Sequence, residues 1–288
     1  MDWLGTKIAV DANNAKVKDD AFSIDIDENN NYILNVYIAD CISNNEENIK
    51  RILEQTYKAG SGFAEQLLKK KLGNYSLSER EEQLAFHFQF VLNQNFDILE
   101  FNINKEIIDL DGEYTRDEVL DDIREGALMS DYFYLANDIA CGLYSKYGND
   151  WDFDKNEMLP FPTIFLDITN KTLERILEAK DLPIIYNIYN DSHDPMDYYY
   201  AAKLPDDETV HFAKFTAPLR MPENLINLFI LNKFVLGKDK NNFDEIERVK
   251  RELDNYMRVS NSNNYFQFEN RGGKKWKQMI LIIIYQRS

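Results

Sequence analysis

Asp11, Asp19 and Asp20 fall within one short stretch, VDANNAKVKDDAFSI. The apolar IAVD predicts a strand ending at Asp11, and the alternating AFSIDI predicts a second strand starting just after Asp20. Carboxylates converging at neighbouring strand ends can hold one Mg²⁺ and leave positions for water and substrate. In a chain with 50 Asp and Glu, the same cluster taken alone also reads as a solvated acidic turn. The surrounding elements must decide between the two.

At 288 residues the chain has room for one large domain or two small ones, and 44% hydrophobic residues supply ample core. The amino-terminal MDWLGTKIAVDA lacks a secretory pattern, and the longest apolar run, Met279 to Tyr285, is too short to span a bilayer. Cys41 and Cys141 make no disulfide framework, and with His87, His193 and His211 they show no zinc-site spacing. A reducing, cytoplasmic setting is expected. The formal charge of −17 argues against a nucleic-acid partner unless a local basic track lies inside the acidic shell.

The stretch from Lys7 to Asp40 predicts three strands, the last being NYILNVYIAD. EENIKRILEQTY carries Ile49, Ile52 and Leu53 at helical spacing, with Gly60 and Gly62 as its breakers. FHFQFVL puts Phe86, Phe88 and Phe90 on one face of a half-buried strand. Thr115 and Glu118 have capping-box spacing and open a helix to about Gly126; a second helix runs from about Met129 to Tyr147. PTIFLDI is expected as a strand before the helix KTLERILEA. Pro222 starts a helix whose apolar stripe is NLINLFILNKFVL, and DEIERVKRELDNYM forms a charged amphipathic helix. NYFQFENRGGKKWKQMILIIIY reads as a hairpin turning at Gly272 and Gly273. Strands and helices mix without strict alternation, predicting an α+β (mixed α/β) domain.

The acidic stretch and its sequel resemble the opening of the ribonuclease II / ribonuclease R catalytic domain, which reads IDxxxxxDxDDA and then a strand ending in HIADV. Asp11, Asp19, Asp20 and Ala21 match, as do Ile38, Ala39 and Asp40. Further similarities follow in the family's order. They are Ser76-Leu77 with LAFHFQF, EYTRDEV (Glu113 to Val119), SDYFYLAN (Ser130 to Asn137), LPIIYNIYN, and FTAPLR (Phe215 to Arg220) followed by Leu225. Their collinear order, from about Asp11 to about Leu231, carries the resemblance.

The resemblance implies a Mg²⁺-dependent 3′→5′ exoribonuclease, with Mn²⁺ as the alternative ion, which hydrolyses single-stranded RNA to nucleoside 5′-monophosphates. It makes Asp11, Asp19 and Asp20 metal ligands, and Asp19, Arg220 and Asp131 catalytic. Tyr114, Arg116 and Asn137 lie in its substrate-binding motifs. The chain also departs from the pattern. Val17 stands where the family has another Asp, Arg116 where it has a stacking Tyr, and Ser130 replaces the first Glu of a pair. Met221, Asn224 and Leu228-Phe229 replace polar or basic residues after Arg220, and Asn187 and Tyr189 replace an Arg and a His. Fewer basic residues mean a weaker grip on a phosphate backbone.

A single ribonuclease II-like domain over residues 1–258 is expected, with the hairpin at 259–288 packed on it. Such a chain has no room for flanking cold-shock and S1 domains. A protein partner that supplies RNA-binding surface would compensate. The alternative reading is a pseudo-nuclease of the same fold, binding RNA or protein. The run Tyr198-Tyr199-Tyr200 could stack bases but reads first as loop and core packing. RGGKKWK reads equally as a solvated hairpin tip, and His193 as a turn residue.

Overall fold

The computed structural model describes residues 3–13, 15–43, 49, 51–52, 55, 61–79, 81–148, 160–189, 198–201, 211–237 and 242–253. The expected hairpin at 259–288, the RGGKKWK segment and His193 lie outside them. The fold is mixed α+β, as the interleaving of apolar strands and amphipathic helices predicts.

A six-stranded sheet has the order β5-β4-β3-β2-β1-β6. Its strands are β1 (Ile8–Asp11), β2 (Asp20–Ile26), β3 (Tyr32–Ala39), β4 (Gln83–Leu92), β5 (Ile98–Ile108) and β6 (Gly112–Thr115). Neighbours run antiparallel except β1 and β6, which are parallel. Register explains the sidedness: Phe22 faces Val36, which faces Phe88, so period-two apolar residues fall into one buried row. The next row on the opposite face is polar. His87 Nε2 and Asn35 Oδ1 lie 2.8 Å apart, and the Asn35 amide donates to Ser23 Oγ at 3.1 Å, so the buried Asn35 and Ser23 are satisfied together with the half-buried His87.

Helix α1 spans Ser61–Leu72 and includes Gly62 in its first turn; residues 56–60, where the preceding helix was expected to end, lie outside the described residues. α2 (Arg116–Glu125) starts with the expected capping box. Thr115 Oγ1 accepts the Glu118 N–H at 3.2 Å, and a Glu118 carboxylate oxygen accepts the Thr115 N–H at 2.7 Å. Gly126, with φ 66°, ends it in the left-handed conformation that glycine tolerates. Thr115→Ala is expected to cost about 1 kcal/mol in chemical denaturation. α3 spans Ser130–Tyr147.

α4 is one helix, Phe161–Ala179, and corrects the expectation of a strand at PTIFLDI. Pro162 sits in its first turn, where the missing N–H is harmless. Phe161, Ile164, Phe165 and Ile168 then repeat at helical spacing and are buried, and Leu173 and Leu177 extend the stripe. Phe161 and Phe165 lie edge-on to Phe22, with ring centroids 6.4 and 5.7 Å away, which seats α4 on the apolar face of the sheet.

A small second sheet has the order β8-β7-β9, from β7 (Tyr186–Tyr189), β8 (Tyr198–Ala201) and β9 (His211–Ala213). The tyrosine run is therefore a strand, paired antiparallel with β7, and not a loop. α5 (Pro222–Ile230) opens on Pro222 as expected and continues as a π-helical turn, Leu231–Leu236. Residues 243–253 form α6. Buried hydrophobic residues from Ile8 to Leu253 share one core. Among the described residues, no helix is long and apolar enough to cross a membrane.

Candidate functional site

Parallel pairing of β1 with β6 sets Asp11 opposite Thr115. Both strands end there, and α2 begins at the same point. Asp20 begins β2, paired with Ile38. The loop between Asp11 and Asp20 is tied down from three sides. Asn13 donates to Asp117 of α2, and the Lys18 N–H donates to Ser76 Oγ at 2.8 Å. The Leu77 N–H donates to the Lys18 carbonyl at 3.0 Å and the Ala39 N–H to the Asp19 carbonyl at 2.8 Å. Ser76-Leu77 and Ile38-Ala39-Asp40, separate motifs in the sequence, thus position one aspartate.

Asp19 is fully buried. One of its carboxylate oxygens accepts the Leu219 N–H at 2.7 Å, and the other accepts Arg220 Nε–H at 2.6 Å. The segment carrying Arg220 is itself held by buried asparagines. The Phe215 N–H donates to Asn170 Oδ1 at 2.8 Å, and the Asn224 amide donates to the Thr216 carbonyl. The Asn227 amide donates to the Ile185 and Lys214 carbonyls at 2.9 and 3.0 Å, and its oxygen accepts the Ile185 N–H at 2.8 Å. Ala217 adopts φ 59°, an uncommon conformation for a residue with a side chain.

Burial raises the pKa of all three aspartates. Asp11 is pushed up to about 6 by burial, with Asp19 and Glu113 adding to it while Arg220 and Lys18 oppose. Asp20 is pushed up to about 8 by burial and then by the charges of Asp19 and Asp11. Asp19 is raised by burial, against the pull of Arg220 and the Leu219 N–H. The structure therefore gathers Asp11, Asp19, Asp20 and Arg220 into one mutually interacting group. Among the described residues, two buried side-chain oxygens have no hydrogen-bond partner, Asp11 Oδ2 and Asn137 Oδ1. Both belong to residues singled out from the sequence.

The remaining predicted residues are placed differently. Asp131 is exposed in the first turn of α3 and is not among the charges acting most strongly on the three aspartates. Arg116 opens α2, half-buried, and donates to Thr163 Oγ1 of α4 at 3.3 Å. Tyr114 meets the Phe133 ring edge-on at 5.4 Å. Val17, which resembles a family Asp position, is buried in the apolar core.

One oxygen from each of the three aspartates does not come within 4.8 Å of the other two, whereas ligand atoms of Glu174, Glu178 and His211 do. Sequence reasoning missed this second group; the Glu174–Glu178 spacing of four on a helix was its available signal. Three of its four carboxylate oxygens already have partners. Glu174 accepts the Ala213 N–H at 2.5 Å and Lys171 at 3.0 Å, and Glu178 accepts the Tyr186 hydroxyl at 2.9 Å. That bonding pins β9 and β7 to α4.

No protein-family model matches the chain, and no curated protein matches its sequence. Solved structures do match. RNase R of Mycoplasma genitalium, in its apo form, superposes with a TM-score of 0.72 at 13% identity over 91% of this chain. The same enzyme in complex with double-stranded RNA gives 0.70 at 12% identity. The Dss1 exoribonuclease of Candida glabrata gives 0.66 at 16% identity over 90% of this chain and 45% of its own. Yeast Ssd1, a pseudonuclease, gives 0.63 at 13% identity over 90% of this chain and 43% of its own. The chain spans 55–63% of the RNase R chains it matches. Active nucleases and a pseudonuclease thus share one architecture with this chain, whose fold is that of the ribonuclease II / ribonuclease R catalytic domain.

Proposed function

We propose that this chain is a divalent-metal-dependent exoribonuclease that trims single-stranded RNA from its 3′ end and releases nucleoside 5′-monophosphates, with weak or specialised activity. The observation that carries it is the assembly of Arg220 with Asp11, Asp19 and Asp20 from segments about 200 residues apart, beside an unpartnered buried oxygen of Asp11. An orphaned buried carboxylate oxygen is costly unless a ligand satisfies it.

The donor set fits Mg²⁺ or Mn²⁺, which take hard carboxylate oxygens. Asp11 and Asp20 would hold the ion. When bound, a divalent cation supplies Lewis-acid neutralisation of phosphoryl charge and makes water nucleophilic near neutral pH. Arg220 supplies positive charge where a phosphate accumulates negative charge. Arg116 and Tyr114, where β6 ends and α2 begins, would carry contacts to the terminal nucleotide, and Asn137 offers an unpartnered acceptor. Asp131 retains a role only if a bound strand reaches its exposed position.

A second reading, a pseudo-nuclease that binds RNA without cutting it, is favoured by Val17, whose burial takes one acidic position out of the site. Incubating 5′-labelled single-stranded RNA with the protein in Mg²⁺ or Mn²⁺ separates the two. The nuclease reading expects a ladder of shortened products, abolished by Asp20→Asn and by Arg220→Ala. RNA that binds but stays intact in both metals overturns it in favour of the pseudo-nuclease.

A further inference from the structure

Resting on the metal-dependent reading above, we propose that Asp19 is a positioning residue for Arg220 and not a ligand of the cation, which Asp11 and Asp20 hold without it. Both oxygens of Asp19 are committed to the 219–220 turn, one to the Leu219 N–H at 2.7 Å and one to Arg220 Nε–H at 2.6 Å. The carboxylate thus grips backbone and side chain of the same turn at once, and two bonds fix orientation where one would leave a pivot. Its main chain is fixed as well, by the Ala39 N–H on its carbonyl at 2.8 Å. The three aspartates do not bring an oxygen each within 4.8 Å of one another, so they do not form one three-carboxylate cage.

The consequence falls on Arg220. It is held through Nε, and among the described residues neither terminal amino group has a hydrogen-bond partner, while 34% of its side chain is exposed. A guanidinium fixed at Nε offers its outer edge as a planar two-pronged donor, the geometry that matches a phosphate. The base of that donor is rigid. The Arg220 N–H closes on the Ala217 carbonyl at 3.2 Å, and the chain just before is held by Asn170 and Asn224. Asp19 therefore sets the plane and reach of the arginine, and the acidic pair beside it sets the cation.

The test measures binding, not turnover, on the full chain. Mn²⁺ affinity is titrated for the parent protein and for Asp11→Asn, Asp20→Asn and Asp19→Asn. The proposal expects Asp11→Asn and Asp20→Asn to weaken Mn²⁺ by about 10-fold or more and Asp19→Asn by less than about 3-fold. Adenosine 5′-monophosphate is then titrated at saturating Mn²⁺. Arg220→Ala and Asp19→Asn should each weaken it by roughly 10-fold, and the double variant should be no weaker than Arg220→Ala alone. Should Asp19→Asn fail to fold, Arg220→Lys serves instead: it keeps the charge but loses the Nε fork, and should lose nucleotide affinity with unchanged Mn²⁺ affinity. A loss of Mn²⁺ affinity in Asp19→Asn equal to that in Asp20→Asn overturns the assignment, as does Arg220→Lys binding the nucleotide like the parent. A parent protein that binds no Mn²⁺ overturns the metal-dependent reading itself, a separate outcome.

Discussion

Asn227→Ala is expected to lower the unfolding free energy by about 3–4 kcal/mol, seen as a large fall in the urea midpoint at unchanged slope. Asn227 is 1% exposed and satisfies three backbone groups, the N–H and carbonyl of Ile185 and the carbonyl of Lys214. Removing it strands all three in the core, at about 1–3 kcal/mol for each unsatisfied group, less whatever the site recovers by relaxing. Asn227→Leu should be nearly as damaging, because filling the volume does not satisfy the orphaned groups. A change under about 1 kcal/mol would mean that another partner or water replaces the amide. The same variant should loosen Arg220, since Asn227 joins the residues before β7 to those that lead into the 215–220 segment.

Asp20→Asn is expected to stabilise the metal-free protein at pH 8 by on the order of 2 kcal/mol while removing its stabilisation by Mg²⁺. The sign follows from the raised pKa, about 8 against an ordinary 3.8, caused first by burial and then by Asp19 and Asp11. Below about pH 4 the carboxyl is protonated in the folded and the unfolded chain alike. Between about pH 4 and pH 8 the unfolded chain releases that proton and the folded chain keeps it, so stability falls as pH rises. Above about pH 8 the cost is complete. The metal-free parent should therefore lose stability from pH 5 to pH 8, more steeply than Asp20→Asn. Millimolar Mg²⁺ should restore it only in the parent. Thermal melts across that range check both halves, and a parent that gains stability with pH would rule the account out.

The strands that carry the aspartates were legible, β1 as a short unbroken apolar run and β2 by its alternation. The capping box at Thr115 and the proline start at Pro222 were legible because each depends on residues within one turn of the other. PTIFLDI was misread because a short β-branched and aromatic run looks the same in either state. The decisive residues were Leu173 and Leu177, which extend its stripe farther along the chain. β5 escaped notice because it is an edge strand, its residues mostly half-exposed or exposed, so its alternation is faint. Asp11, Asp19, Asp20 and Arg220 could be chosen from motif order, but the orientation of Asp19 could not. It depends on a partner about 200 residues away. Asn170 and Asn227 went unremarked and Asn224 stood out only as a departure from the family pattern, although an asparagine inside an otherwise apolar helical stripe, as in NLINLFIL, is itself a sign of buried backbone to satisfy.

The bond from Asp19 to Leu219 and Arg220 also has a consequence for the order of events on the ribosome. β1, β2 and β3 can pair as soon as they emerge, because each pairs with the next in sequence, but the other edge of β1 must wait for β6 and Asp19 must wait for the turn at 217–220. At translation rates of about 5–20 residues per second, Asp19 spends roughly 10–40 s without its arginine. During that interval the aspartates have no cationic partner in the 217–220 turn to lower their cost of burial. The proposed site of Asp11, Asp19, Asp20 and Arg220 is therefore completed late, when the carboxyl-terminal half docks.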